Sequence, residues 1–258
     1  MRIDLLTLFP DMCSTVIDES IIGRARRAGR LDVRCHNIRD YSQDRHRRID
    51  DTPYGGGKGM LMECEPIYQC YQAIASRVEK KPHVIFMSPQ GKTLNQQRVK
   101  ELAQMEHLVV LCGHYEGVDQ RVLDEIVDEE ISVGDFVLTG GELGALILVD
   151  SVGRLCPGVL SDSVCFTEES HWNGLLEYPQ YTRPPIWRGR EVPQVLQSGH
   201  HANIVAWQRE KSLENTLRKR PELLKEAQLT KKDLVYLEQL QQELEKEGGV
   251  SCSEPSSM

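Results

Sequence analysis

The run Tyr54-Gly55-Gly56-Gly57-Lys58-Gly59-Met60 sets four glycines around one lysine. Glycine carries no Cβ, so backbone amides in such a loop can approach a ligand closely. It is not a phosphate-binding Walker loop, because Lys58 is followed by glycine and the required upstream glycine is absent. The first apolar run ends in Phe9-Pro10 and not in a glycine-rich turn, which disfavours the dinucleotide fingerprint and the common Rossmann-type methyltransferases. A second chemistry is written in arginine. Between Arg24 and Arg48 stand nine arginines (Arg24, Arg26, Arg27, Arg30, Arg34, Arg39, Arg45, Arg47, Arg48) against three acids, Asp32, Asp40 and Asp44. Guanidinium forks match phosphate oxygens bidentately, and neutralised phosphates release counterions, so this density points to RNA. The competing reading of such a run is a solvated helix face and loop.

The whole chain has 258 residues and a net charge of −8, yet its charge is segregated: a second basic stretch runs from Arg183 to Arg220, and Glu116 to Asp135 is acidic. That suits one basic and one acidic face. Hydrophobic residues at 40% and charged residues at 27% describe a globular protein and exclude disorder. No apolar run approaches eighteen residues and Met1 to Leu6 lacks a signal-peptide pattern, so a cytoplasmic protein away from membranes is expected. The eight cysteines are scattered, with no C-x-x-C pair and no histidine at zinc-finger spacing. They read as reduced thiols, mostly core filler, and no metal site is expected.

These residues need elements to hold them. Ile3 to Phe9 reads as a buried strand; Met12, Val16, Ile17 and Ile21 continue it as a helix from about Asp11 to a stop at Gly29. Leu31 to Ile38, His83 to Met87 and Leu108 to Cys112 are further strands, the last two separated by a helix over about Leu94 to Gln104. Such alternation implies a parallel sheet. Helices are also expected from Glu65-Pro66 and over about Glu142 to Leu155. Ser161 to His200 lacks periodicity and reads as linker and irregular structure. Beyond it the pattern is helical: Leu213 and Leu217 at i, i+4, a break at Pro221, then a Thr230/Asp233 capping box leading into Leu234, Leu237, Leu240 and Leu244. Gly248-Gly249 ends that helix, and a disordered tail is expected over 248–258.

Four segments taken in order carry more than any one motif. They are Pro53-Tyr54-Gly55-Gly56-Gly57; Cys112-Gly113-His114-Tyr115-Glu116-Gly117-Val118-Asp119-Gln120-Arg121-Val122; Ser132-Val133-Gly134-Asp135-Phe136-Val137-Leu138-Thr139-Gly140-Gly141-Glu142-Leu143; and Pro157-Gly158-Val159-Leu160 with Gly174-Leu175-Leu176 and Tyr181-Thr182-Arg183-Pro184. Their order and spacing closely resemble the bacterial tRNA (guanine-N1)-methyltransferases of the SPOUT class, from Met1 to about Glu245. The resemblance implies an α/β fold: a parallel-sheet methyltransferase domain with a deep trefoil knot, an exception to the rule against knots, plus a small all-helical C-terminal domain. Its boundaries would be 1–160 for the domain binding S-adenosylmethionine, 161–175 for a linker carrying the general base, and 176–247 for a helical tRNA-binding domain.

The resemblance also implies a site. S-adenosylmethionine would be held mainly by backbone at the matching positions: Ser88, Pro89 and Gln90; Gly113 to Gly117 with Tyr115 and Glu116; and Val133 to Gly141 with Gly134, Asp135, Phe136, Val137, Leu138 and Gly140. Taken without the resemblance, these glycines are ordinary turns at strand ends. Magnesium dependence is implied in the same way. The partner would be a tRNA bearing guanosine just 3′ of the anticodon, position 37, whose methylation supports reading-frame maintenance. The family acts as a homodimer with active sites shared between subunits, and Arg209, Lys211, Arg218, Lys219 and Arg220 suit the grip on the anticodon arm. Methylating N1 of guanine requires removing its proton, and negative charge then spreads to O6, where a fixed cation lowers the barrier. Arg154 matches the family's arginine for that task. The family's general base is an aspartate in Glu-Asp-Ser-Phe, whereas this chain reads Glu168-Glu169-Ser170-His171, which puts Glu169 in the role with one extra methylene. Lys58 and Gly144 stand where proline is usual, and Glu177 where aspartate is usual. The alternatives are a SPOUT methyltransferase acting on another acceptor, such as a ribose hydroxyl, and an RNA-binding protein of the same fold whose activity has altered or decayed.

Overall fold

The computed structural model describes residues 1–162 and 164–248 and divides into two compact units, Met1–Asp162 and Ser163 onward. In the first, β1 (Arg2–Thr7) leads to α1 (Pro10–Ile17), α2 (Ser20–Arg27) and β2 (Asp32–Asn37). A ribbon of β3 (Asp50–Asp51) and β4 (Leu61–Met62) precedes α3 (Cys64–Ala75), β5 (His83–Thr93), α4 (Gln96–Leu102) and β6 (His107–Cys112). Then come α5 (Gln120–Ile126), β7 (Glu129–Ser132) and α6 (Glu142–Gly153). The five-stranded sheet has the order β2-β1-β6-β5-β7, and every pairing is parallel. Parallel strands are covered on both faces, so they read as continuous apolar runs: Ile3, Leu5, Val110 and Ile85 face α1, α2, α4 and α6, while Leu6, Val109, Leu111 and Val84 face α3 and α5.

One helix expected over Asp11 to Gly29 is two. Ser20 sits at φ 52 and breaks the run, and Gly23 lets α2 begin against the Asp18 carbonyl, which a Cβ there would strike. Gly29 does stop α2: at φ 68 it donates to Arg26 O (3.0 Å) while the Arg30 N–H reaches Ala25 O (2.9 Å), a Schellman pair. The β3–β4 ribbon, α5 and β7 lie outside the sequence expectation, the last two inside the acidic stretch. Glu129 of β7 is accounted for at the sheet edge, where it takes His83 Nε2 at 2.7 Å and Arg98 Nε at 3.1 Å.

The second unit holds α7 (Val164–Thr167), a ribbon of β8 (Ile186–Trp187) and β9 (Arg190–Glu191), α8 (Gln194–Gln197), α9 (His201–Lys219), a 3₁₀ turn at Pro221–Lys225 and α10 (Lys231–Gly248). The ribbon and the two short helices occupy the stretch read as irregular. Leu175, Leu213 and Leu237 form its apolar core, so Leu175 belongs to this core although it was expected in the linker. The capping box is made in both directions: the Asp233 N–H donates to Thr230 Oγ1 (3.2 Å) and the Thr230 N–H to Asp233 Oδ2 (2.8 Å). Gly248 is the last residue of α10, and the rest of the expected tail lies outside the described residues. No helix among the described residues is long and apolar enough to cross a membrane.

Candidate active site

Three loops leave the carboxyl ends of adjacent strands, where parallel α/β sheets hold their ligands. The first is a bulge inside β5: its partner register jumps from Met87↔Ile131 to Lys92↔Ile131, so Ser88 to Gly91 loop out of the sheet. Gly91 permits this because a Cβ would collide with the Glu130 backbone. The second follows β6 through Gly113 to Gly117, with Tyr115 at φ 59 and Gly117 at φ 140. The third runs from Val133 into α6. It presses against the second so closely that the Gly141 N–H donates to Gly113 O at 2.8 Å and a Gly141 Cβ would lie 2.8 Å from Cys112 Cα. Between them opens a cleft of about 180 Å³.

Its lining includes Ser88, Pro89, Gly113, Tyr115, Glu116, Gly117, Val133, Phe136, Val137, Leu138, Gly140 and Gly141 from the residues singled out in the sequence. Gln90, Gly134 and Asp135 are not in the lining. Phe86, Met87, Ile131, Ser132 and Gly144 line it too but lie outside the segments matched to the cofactor. Phe86 and Met87 had a signal in the apolar run of β5 just before its bulge, and Gly144 in the helical pattern of α6, whereas Ile131 and Ser132 lie on β7, which the sequence pattern does not mark. Phe136, Val137 and Leu138 are exposed apolar groups on one wall, a surface that an apolar face of a ligand can cover.

Polar anchoring lies beneath these loops. Thr7, fully buried at the end of β1, donates its hydroxyl to Glu142 Oε1 at 2.8 Å and accepts the Phe9 N–H at 2.9 Å. Glu142 is itself buried in the first turn of α6, where the helix dipole favours its charge. His114 Nδ1 is the buried side-chain polar atom with no hydrogen-bond partner among the described residues. It lies in the cleft lining, so a ligand group or water can satisfy it. A Cβ on Gly140 would come within 2.6 Å of this nitrogen and 2.5 Å of Glu142 Oε2. A side chain at 140 therefore meets the protein's own groups before it meets any ligand, and Gly113 likewise abuts Phe86 at 3.0 Å.

The glycine loop 55–59 hangs between β3 and β4, and its base is tied to the second cleft loop. The Glu116 N–H donates to Met60 O (3.1 Å) and the Met62 N–H to Gly117 O (2.9 Å). Gly59 packs directly on the Glu116 side chain. Beyond this clamp Tyr54 is 99% exposed, and Gly55 and Gly56 have positive φ with open space around them. Arg39, from the basic run, donates to the Tyr115 hydroxyl at 3.1 Å.

Arg154 caps α6, its N–H on Asp150 O at 3.1 Å. In the second unit Glu169 opens a tight loop. The Trp172 N–H reaches Glu169 O (3.3 Å), the His171 N–H reaches Leu175 O (2.8 Å), and the Glu177 N–H reaches Ser170 Oγ (2.9 Å). The loop is fastened to α9 by the Leu176 N–H on Thr216 Oγ1 (2.9 Å) and by Asn215 Nδ2 on Glu177 O (2.8 Å). Among the described residues no group of His, Cys, Asp or Glu is placed to hold a metal ion.

A parallel α/β unit with a glycine-walled cleft at its strand ends defines a nucleotide-type ligand binder. The family model for tRNA (Guanine-1)-methyltransferase TrmD matches residues 1–226. A tRNA (guanine-N(1)-)-methyltransferase of Ruminiclostridium cellulolyticum is 58% identical over 223 residues, covering 86% of this chain and 96% of the relative. One from Alkaliphilus oremlandii is 52% identical over 245 residues, covering 93% and 98%. The crystal structure of the tRNA (m1G37) methyltransferase from Aquifex aeolicus superimposes with a TM-score of 0.71 at 41% identity, over 86% of this chain and 93% of that one. The chain belongs to the tRNA (guanine-1)-methyltransferase TrmD family.

Proposed function

We propose that this protein transfers a methyl group from S-adenosylmethionine to N1 of guanosine 37 of tRNA, with the cleft of the first unit holding the donor. The observation that carries the reading is the cleft itself: three sequence-distant loops that match the family's donor-binding segments line one cavity. The residues fit the group, since Gly141 and Gly113 allow backbone to close around a ligand and His114 Nδ1 needs a partner. The bound donor would supply an electrophilic sulfonium methyl. Glu169 then takes the N1 proton of guanine through its carboxylate, and Arg154 offsets the charge that moves to O6. Magnesium remains an assay variable that family likeness suggests. Incubation with S-adenosylmethionine and tRNA transcripts with or without guanosine 3′ of the anticodon, followed by nucleoside mass analysis, tests this. 1-Methylguanosine only in the first transcript is the expected result; methylribose or no product would overturn it.

The glutamate at 169 favours one second reading, an RNA binder of this fold with weakened catalysis. Calorimetric titration separates the two, since a pure RNA binder shows no saturable heat with S-adenosylmethionine. We also propose a cytoplasmic homodimer. Met12 and Val16 of α1 and Leu143 and Ile147 of α6 form neighbouring exposed apolar rows on one face of the first unit, an arrangement suited to a self-complementary contact.

A further inference from the structure

The cations expected to grip RNA from α9 are largely spoken for. Arg209 pairs with Asp233 at 2.9 Å, Lys211 with Glu214 at 2.6 Å, Arg218 with the same Glu214 at 3.1 Å, and Arg220 with Glu222. Each such pair leaves less net charge for a phosphate to meet. Arg183, Arg188 and Arg190 differ: all three are exposed, and no acid pairs with them among the described residues. Two of them sit on the β8–β9 ribbon, whose register places Arg190 directly opposite Trp187 and Glu191 opposite Ile186. Side chains alternate faces along a strand. One face of the ribbon is therefore Trp187 and Arg190, and its single acid lies on the other face.

Arg188 completes the basic face, its guanidinium carbon 5.0 Å from the centroid of the Trp187 ring. The turn puts Arg188 at φ 50 and Gly189 at φ 77, the type I′ pattern that Asn-Gly serves best. An arginine there is strained, and among the described residues no carboxylate pairs with it. Trp187 is 57% exposed, so a large π surface beside unpaired cations stands in water.

We propose that this ribbon is an RNA contact that holds an unpaired nucleotide of the tRNA, with Trp187 stacking on a base and Arg188 and Arg190 on the flanking phosphates. The charge excludes an apolar or basic partner, and the ring specifies which part of the RNA. A base inside an A-form stem has no free face, whereas loop nucleotides can splay onto an aromatic ring. The contact is thus with a loop and not with a stem. This rests on the reading of tRNA as substrate.

The test is binding of the full-length chain to a tRNA transcript, without methyl donor, by fluorescence anisotropy between 50 and 200 mM KCl. Trp187→Ala should weaken binding by roughly tenfold with little change in salt slope, and Trp187→Phe should restore most of it. Arg188→Ala with Arg190→Ala should reduce the slope of log K against log salt by about 1.5, as for two single-strand phosphates. Arg218→Ala, at a paired position, should change the slope far less. Unaltered affinity and slope in the ribbon variants would overturn the proposal. So would a loss of binding that tracks dissociation of the protein in sedimentation, which would make the ribbon a contact between chains. A wild-type protein that binds tRNA without methylating it would overturn the activity and not the ribbon.

Discussion

Glu169 is the proposed general base, and the reach of such a group is sensitive to displacements of a single methylene. If its carboxylate takes the guanine proton, Glu169→Gln keeps shape and polarity but removes basicity. Single-turnover methylation should then fall by at least about a hundredfold while tRNA affinity changes little. Glu169→Asp should stay active and could only gain from the shorter reach if the loop, fastened through Thr216 and Asn215, is the rigid part. A Glu169→Gln protein with unaltered single-turnover rate would remove the assignment and direct attention to Glu168. Thr7 makes a structural counterpart. Thr7→Val keeps volume but strands Glu142 Oε1 and the Phe9 N–H in the interior, an expected loss of roughly 1–3 kcal/mol in urea unfolding. A loss below about 0.5 kcal/mol would show that water replaces the hydroxyl. Neither bond was legible in the sequence, because Thr7 and Glu142 are 135 residues apart and nothing in spacing marks such a pair. The glycines were legible as ligand-permitting turns, but the close packing of Gly140 on His114 and Glu142 is a tertiary fact.

Strands and helices were legible where burial imposes a period. The strands β1, β5 and β6 are apolar because both faces are covered, and α6 and α9 carry their leucines and valines at helical spacing. β7 was illegible for the converse reason: an edge strand of four residues can carry Glu129 and Glu130, since its acids find His83 and Arg98 or solvent. The bulge in β5 was hidden too, although Gly91 marks where backbone meets backbone. Three adjacent strands also share a buried carboxylate. Asp4 on β1 takes His36 Nε2 of β2 at 2.6 Å, His107 Nε2 of β6 at 2.6 Å and Arg2 Nε at 2.7 Å. Burial pushes its pKa up, and the hydrogen bonds from His36, Arg2 and His107 overcome this and bring it down to about 2. A depressed carboxylate stabilises the fold fully above its unfolded value near 3.8 and loses that contribution as pH falls through about 2. The interval corresponds to roughly 2 kcal/mol at about 1.4 kcal/mol per unit. Asp4→Asn should therefore lower stability at pH 7 and flatten the acid limb between pH 4 and 2 in urea titrations. An acid limb as steep as wild type would place the titrating group elsewhere.

On the scale of the whole molecule, the two units have separate cores, the first carrying the cleft and the second the Glu169 loop and the ribbon. Sequence placed that division near residue 160 because periodicity vanishes there, and the first unit ends at Asp162. What sequence could not show is which face of the first unit is left uncovered. Met12 and Val16 fit the helical pattern read from the sequence, yet they stay exposed, as do Leu143 and Ile147, the last at 50%. Their helices α1 and α6 already pack on each other and on the sheet, so these rows are the far sides of buried helices and face outward. Large exposed rows of this kind are tolerated where a second surface covers them, and a two-fold contact pairs the same rows on both copies. Ile147→Asp should then place two charges against each other at that contact without disturbing the core of either copy, because the side chain points to solvent in the single chain. Sedimentation should show this variant as a monomer that unfolds at nearly the wild-type urea midpoint at low protein concentration. Its methylation rate should depend steeply on protein concentration and recover as the dimer re-forms. A monomeric Ile147→Asp protein with full activity would sink the shared-site reading, and an intact dimer would place the contact on another face.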